Sequence, residues 1–154
     1  MHEYLGITID YSIAGEVVFT MFDYLEDVIV EAAEDLKNSF SYYASNDQLM
    51  KVDYNSPSLS TKDAELFYRH VARLLFASKR ARTDIQVCVP FLCTRVKSPN
   101  EQDYMKLGKV ISYLKETVHL PLVIGADDSG TLTWNIHKSL SVPKSFAAIF
   151  IRTS

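Results

Sequence analysis

At 154 residues the chain has room for one ordinary domain and not comfortably for two, and its 47% hydrophobic and 23% charged content excludes a disordered polypeptide. With 16 basic and 19 acidic side chains the net charge is −3, which excludes a binder that is basic all round but allows a local basic stripe. No apolar run approaches the ~20 residues of a membrane span, and the amino terminus lacks the basic-then-apolar pattern of a signal peptide. Cys88 and Cys93 form no zinc pattern and fit a reducing compartment. The setting expected is intracellular, cytoplasmic or nuclear, without membrane association.

The first 22 residues read as a β-hairpin. YLGITIDYS and VVFTMF are rich in β-formers, and Gly15 marks the turn between them. At Asp23 the period changes: Leu25, Val28, Ile29, Ala32 and Leu36 follow helical spacing, while Glu26, Asp27, Glu31, Glu34 and Asp35 occupy the other faces. This predicts an acidic amphipathic helix over about residues 23–37. Residues 38–60 are polar and without period, and read as a long loop.

A second helix follows, with Ser60 and Asp63 at capping-box spacing. Phe67, Val71, Leu74 and Leu75 form its apolar face. Lys62, Arg69, Arg73 and Arg80 fall within about 40° of one another on the opposite side at 100° per residue, and Phe76 lies on that side too. Lys79 and Arg82 add charge near the helix end, where cations suit the macrodipole.

Ile85, Cys88, Val89, Leu92 and Val96 share a face of a third helical stretch, but Pro90 in its middle predicts a kink or break. A fourth helix is announced by Ser98-Pro99-Asn100-Glu101, read as N-cap, first-turn proline and capping-box acid, with Tyr104, Leu107, Ile111 and Leu114 as its buried stripe. LPLVIGA and TLTWNI read as two strands joined by Asp127-Asp128-Ser129-Gly130, and residues 138–154 form a tail without pattern. The fold class expected is therefore α+β: an N-terminal hairpin, a helical region over residues 23–120, and a short C-terminal hairpin over residues 121–137.

Adjacent acids at Asp127 and Asp128 invite a metal-site reading, because two-metal phosphoryl chemistry needs clustered carboxylates. It also needs a third acid from another strand, and Asp-Ser-Gly is ordinary turn chemistry, so the pair reads as a turn. His2, His70, His119 and His137 are scattered without metal-ligand spacing, and His70 reads as a surface or boundary residue. No phosphate-binding glycine loop or nucleophile elbow is present. No cofactor and no metal are expected.

Taken together, HEYLGITIDYS with VVFTMFDYL, then ELFYRHVARLLFASKRARTDIQ, then FLCTRVKSPNEQDYMKLGKVISYLKETVHLPL and ADDS, resemble the segment that follows the palm in the reverse transcriptase of copia-type LTR retrotransposon polyproteins. The likeness runs from about Met1 to Trp134. It implies thumb and connection helices that grip a template–primer duplex, leading into the first strand of an RNase H domain. It assigns Leu5 and Gly6 to a primer-positioning hairpin, and Lys79, Arg80 and Arg82 to a basic turn between thumb helices. Arg69 and Arg73 join that set as phosphate contacts, since lysine and arginine neutralise phosphates without reading bases.

Several positions depart from the family pattern. The catalytic Tyr-x-Asp-Asp hairpin belongs before Leu5-Gly6. His137 stands where an RNase H metal-binding acid is expected, Pro90 stands where a small residue is, and the tail SVPKSFAAIFIRTS has no family counterpart. A start inside a parent gene and a frame change near its 3′ end would account for these departures. The resemblance thus implies retained binding to an RNA–DNA or DNA duplex, without polymerase or RNase H chemistry. The competing expectation is a non-catalytic helical interaction module, self-associating through apolar surface that a palm would cover.

Overall fold

The computed structural model describes residues 1–35 and 50–125, together with the backbone of two strands at residues 134–137 and 148–151. The order of elements is β1 (His2–Tyr4), β2 (Ile7–Asp10), β3 (Glu16–Thr20), α1 (Phe22–Asp35), α2 (Thr61–Ser78), a 3-10 turn (Thr83–Ile85), α3 (Cys88–Arg95), α4 (Glu101–Glu116), β4 (Leu122–Gly125), β5 (Trp134–His137) and β6 (Ala148–Ile151). The α+β class and its order, strands then helices then strands, follow the sequence expectation.

The N-terminal hairpin is the pair β2–β3, with Ile9 opposite Phe19. A further strand precedes it. β1 runs antiparallel to β2 with Tyr4 opposite Ile7, which leaves Leu5 and Gly6 as a two-residue turn. Both have positive φ, 50° and 75°, as the tightest hairpin turns require. Glycine accepts that conformation freely, whereas leucine does so at a cost.

The C-terminal strands pair differently from the hairpin expected over residues 121–137. β4 joins β3, with Val17 opposite Ile124 and Phe19 opposite Leu122, so one antiparallel sheet has the order β1-β2-β3-β4. β5 instead pairs with β6, which falls inside the tail that showed no pattern. The β-formers of LVIG find a ready partner in the free edge of β3. The acids Asp127 and Asp128 lie outside the described residues.

The helices pack their apolar stripes into one core. Met21, Leu25, Val28 and Ala32 meet Phe67, Val71, Leu74 and Ala77, and then Val89, Leu92, Leu107, Ile111 and Leu114. Ile7 and Phe19 bring one face of the sheet onto this core. Ser60 caps α2 as the spacing predicts: its hydroxyl accepts from the Asp63 amide at 3.2 Å and donates to the Asp63 carboxylate at 2.6 Å.

Two helix starts differ from expectation. Pro90 lies in the first turn of α3, where a missing N–H breaks no helical bond. The predicted break therefore falls before the proline, at Gln86 and Val87, between the 3-10 turn and the helix. In α4 the cap is Asn100 rather than Ser98. Its side chain accepts from the Asp103 amide at 2.9 Å, and the Asp103 carboxylate accepts from the Asn100 amide at 3.2 Å, closing a full capping box.

The end of the long polar segment is not a free linker. Residues 50–60 form a strap across the start of α4. Leu59 donates to the Pro99 carbonyl at 3.1 Å, Glu101 donates to Pro57 at 2.9 Å, and the Asn100 amide group donates to Asp53 at 2.7 Å. Lys106 reaches the Lys51 carbonyl. Residues 38–49 of the expected loop, and Leu36 and Lys37 of the expected first helix, lie outside the described residues.

Candidate nucleic-acid interface

The five basic residues expected to contact phosphates divide into three groups in space, and Lys62 of the same stripe is exposed in the first turn of α2. Arg69 and Arg73 project from α2 toward the acidic helix α1. Arg69 Nε lies 3.3 Å from Glu31 and its Nη2 pairs with Asp35, while Arg73 pairs with Glu31 through the other carboxylate oxygen. Spacing of four residues puts both arginines on one face, and α1 meets that face with two acids.

Arg82 does a different job from the phosphate contact expected of it. Only 1% exposed, it donates from Nε and Nη2 to the two Asp84 oxygens at 3.0 and 2.7 Å, and to the Thr117 carbonyl and hydroxyl at 2.9 and 2.7 Å. Thr117 ends α4. The guanidinium therefore ties the 3-10 turn to a helix C-terminus, where unpaired carbonyls and the dipole both favour a cation. Burial raises the cost of ionising Asp84, but the hydrogen bonds from Arg82 and Tyr113 outweigh it and hold that carboxyl below its ordinary range.

Lys79 and Arg80 remain. Lys79 is the exposed C-cap of α2. Arg80 lies half-buried with its guanidinium 3.6 Å from the Phe76 ring centroid, and it donates to the Phe76 carbonyl at 3.2 Å. Phe76 in turn meets Tyr24 of α1, ring centroids 5.2 Å apart and tilted by 41°. The Tyr24 hydroxyl donates to the Arg73 carbonyl at 3.1 Å, and the Arg73 guanidinium sits 5.5 Å over the Tyr24 ring.

This aromatic pair also reaches the hairpin. A Cβ added at Gly6 would lie 3.8 Å from Tyr24 Cβ, so the Leu5-Gly6 turn rests beside α1. Leu5 itself is 60% exposed. Leu5-Gly6, Tyr24, Phe76, Arg73 and Arg80 thus form one connected edge, from a strained turn through two rings to a cation. In that edge the Arg80 guanidinium lies over one ring and the Arg73 guanidinium, already paired with Glu31, over the other. Phe76 is visible in the sequence on the basic side of the α2 wheel. Tyr24 is not, because the pattern of α1 alone marks it only as a neighbour of Leu25.

His70 is fully buried rather than at the surface. Its Nε2 lies 2.8 Å from the Asp35 carboxylate, and its Nδ1 is buried without a hydrogen-bond partner. Burial holds its pKa below the ordinary imidazole value, and the hydrogen bond to Asp35 opposes that shift without cancelling it. His2 stacks on Tyr11 and His119 packs edge-on to Phe22. Among the described residues no three His, Cys, Asp or Glu side chains are grouped to hold a metal ion. No helix among them is long and apolar enough to cross a membrane. Compared with family models, with curated proteins and with solved structures, the chain matches none.

Proposed function

We propose that this chain descends from a copia-type retroelement reverse transcriptase and grips a primer–template duplex along the edge running from Leu5-Gly6 to Lys79-Arg80. One observation carries the reading. The Leu5-Gly6 turn and Arg80, far apart in the chain and assigned by the resemblance to a primer-positioning hairpin and to a basic turn between thumb helices, converge on the Tyr24–Phe76 pair. The strained turn adds support. Leucine at φ 50° and 60% exposed gains no backbone ease and only partial packing, so a contact outside the chain is a natural reason for it.

The reading is tested by binding of a labelled RNA–DNA hybrid, followed by fluorescence anisotropy across a salt series. Lys79→Ala with Arg80→Ala should weaken binding and make the log–log salt slope shallower by about 0.9 for each phosphate no longer neutralised. Arg82→Lys, at a buried position, should leave the slope unchanged. Binding that is absent, or that ignores both Lys79 and Arg80, would reject the proposal. Magnesium-dependent primer extension or hybrid cleavage is not expected of the chain.

Self-association is the second reading, and β4 favours it. This strand lies at the edge of the four-stranded sheet and exposes Val123 and Ile124, 48% and 46% accessible. Concentration-dependent sedimentation without hybrid binding would support it over the first.

A further inference from the structure

Arg69 and Arg73 have the position of a phosphate track but face carboxylates in this structure. Along α2 Arg73 stands ~6 Å beyond Arg69 in nearly the same direction around the axis, and Arg80 follows just past the Lys79 C-cap. Glu31 bridges the first two, binding each arginine through a different oxygen, and Asp35 takes the second donor group of Arg69. Two acids engaging two guanidinium groups bring two negative charges to the same donors that a pair of backbone phosphates would use.

These ion pairs lie at the rim, not the centre, of the α1–α2 interface. The side chains of Arg69 and Glu31 are 49% and 35% exposed, and those of Arg73 and Asp35 27% and 24%. The apolar contact of Leu25, Val28 and Ala32 with Phe67, Val71 and Leu74 lies inside them. Ion pairs partly open to water contribute little beside that apolar contact, so exchanging carboxylate for phosphate leaves the helix pairing intact. Asp35 has a second partner in buried His70 and would keep it after releasing Arg69.

We propose that Glu31 and Asp35 act as an internal substitute for phosphate, masking Arg69 and Arg73 so that only Lys79 and Arg80 meet a duplex until a backbone phosphate displaces the acids. This rests on the duplex-gripping reading and adds a restraint on the same site. It makes the chain a weak binder whose affinity is set by α1.

The test measures anisotropy of a short labelled RNA–DNA hybrid with four proteins: the natural chain, Glu31→Gln, Glu31→Gln with Asp35→Asn, and that double variant with Arg69→Ala and Arg73→Ala. Asparagine still accepts from His70, and circular dichroism checks each fold. The double variant should bind about tenfold tighter than the natural chain, with a salt slope steeper by up to about 1.8, the amount two neutralised phosphates supply. Glu31→Gln alone should give part of this gain, and the added arginine substitutions should remove it. If the natural chain binds through Lys79 and Arg80 but neutralising the acids changes neither affinity nor slope, the masking idea fails and the gripping reading stands. A gain that survives removal of both arginines also overturns it, because Arg69 and Arg73 are then not its source. If only the acid-neutralised proteins bind, through Arg69 and Arg73, masking holds and the Lys79–Arg80 edge is rejected. No binding by any variant rejects both.

Discussion

The rings of Tyr24 and Phe76 approach to 5.2 Å, and through that contact the hairpin turn at Gly6 is linked to the guanidinium of Arg80. Phe76 has two neighbours to satisfy, one aromatic and one cationic. Phe76→Leu keeps an apolar side chain but removes the ring face. It should cost about 0.5–1 kcal/mol of hybrid binding by freeing Arg80, roughly a two- to fivefold weakening. Anisotropy titration measures this, and an unchanged affinity would show that the ring does not organise the arginine.

The Leu5-Gly6 turn should be improvable at the expense of its proposed task. Leu5→Asn places a residue tolerant of positive φ at the first turn position and should raise stability by about 0.5–1 kcal/mol. Gly6→Ala, at φ 75°, should lower it by about 1–2 kcal/mol. Urea denaturation reads both. A stabilised Leu5→Asn protein that binds hybrid as well as the natural chain would remove Leu5 from the interface.

Arg82 is expected to matter for folding more than for binding. Arg82→Ala removes the guanidinium from the partly solvated Asp84, which keeps only Tyr113, and from the Thr117 carbonyl, which keeps only the Leu120 amide. The expected destabilisation is about 2–3 kcal/mol, below the range for a fully buried pair because Asp84 is 26% exposed. Thermal melts check the size. A change under ~0.5 kcal/mol, the size of an ordinary surface substitution, would mean that water replaces the guanidinium.

Asn100 holds two structures at once, the α4 cap and the strap. Asn100→Ala removes the acceptor for the Asp103 amide and the donor to Asp53. A cap alone is worth about 1 kcal/mol and the extra bond about as much again. Asn100→Asp should recover the cap and not the strap bond, so the pair of variants separates the two in equilibrium unfolding.

Acidification should weaken the fold through His70. Its folded pKa is depressed by burial, so below about pH 6.5 the unfolded chain binds a proton that the folded chain resists. Stability is full above that value and is lost as pH falls through the lower folded pKa. Asp35 stays ionised through this window: hydrogen bonds from His70 and Arg69 outweigh its burial and hold it below the ordinary carboxylate range. Melting temperature followed from about pH 7.5 to about 5.5 should fall in the natural chain and flatten in His70→Gln. Equal slopes would assign the acid sensitivity elsewhere.

Local chemistry is legible in the sequence where it is self-contained. Ser60 and Asp63 meet within one turn, and the stripes of α1, α2 and α4 follow from spacing alone. Features set by distant partners are not legible. The α4 cap is Asn100 rather than Ser98 because the strap hydrogen-bonds Asn100 and Glu101 and sets where the helix begins. β1 is hidden because its turn uses leucine where asparagine is the usual signal. The partner of β4 cannot be read from its own residues, since pairing depends on which strand edge is free. The basic stripe is legible as geometry on α2, but the acids of α1 that answer Arg69 and Arg73, and the end of α4 that buries Arg82, lie far away in the chain.

The pairing of β3 with β4 has a consequence for how the chain assembles. Between Thr20 and Leu122 run all four described helices, so this seam closes a very long loop, while β1–β2–β3 can zip up from neighbours. Distant pairings of this kind form slowly. β4 should therefore dock last, onto a helical layer already collapsed, and until then β3 presents an open apolar margin. Interrupting the chain anywhere in that interval would leave a half-built sheet seeking a strand from another molecule, which makes misassembly, rather than simple unfolding, the expected fate of damaged copies.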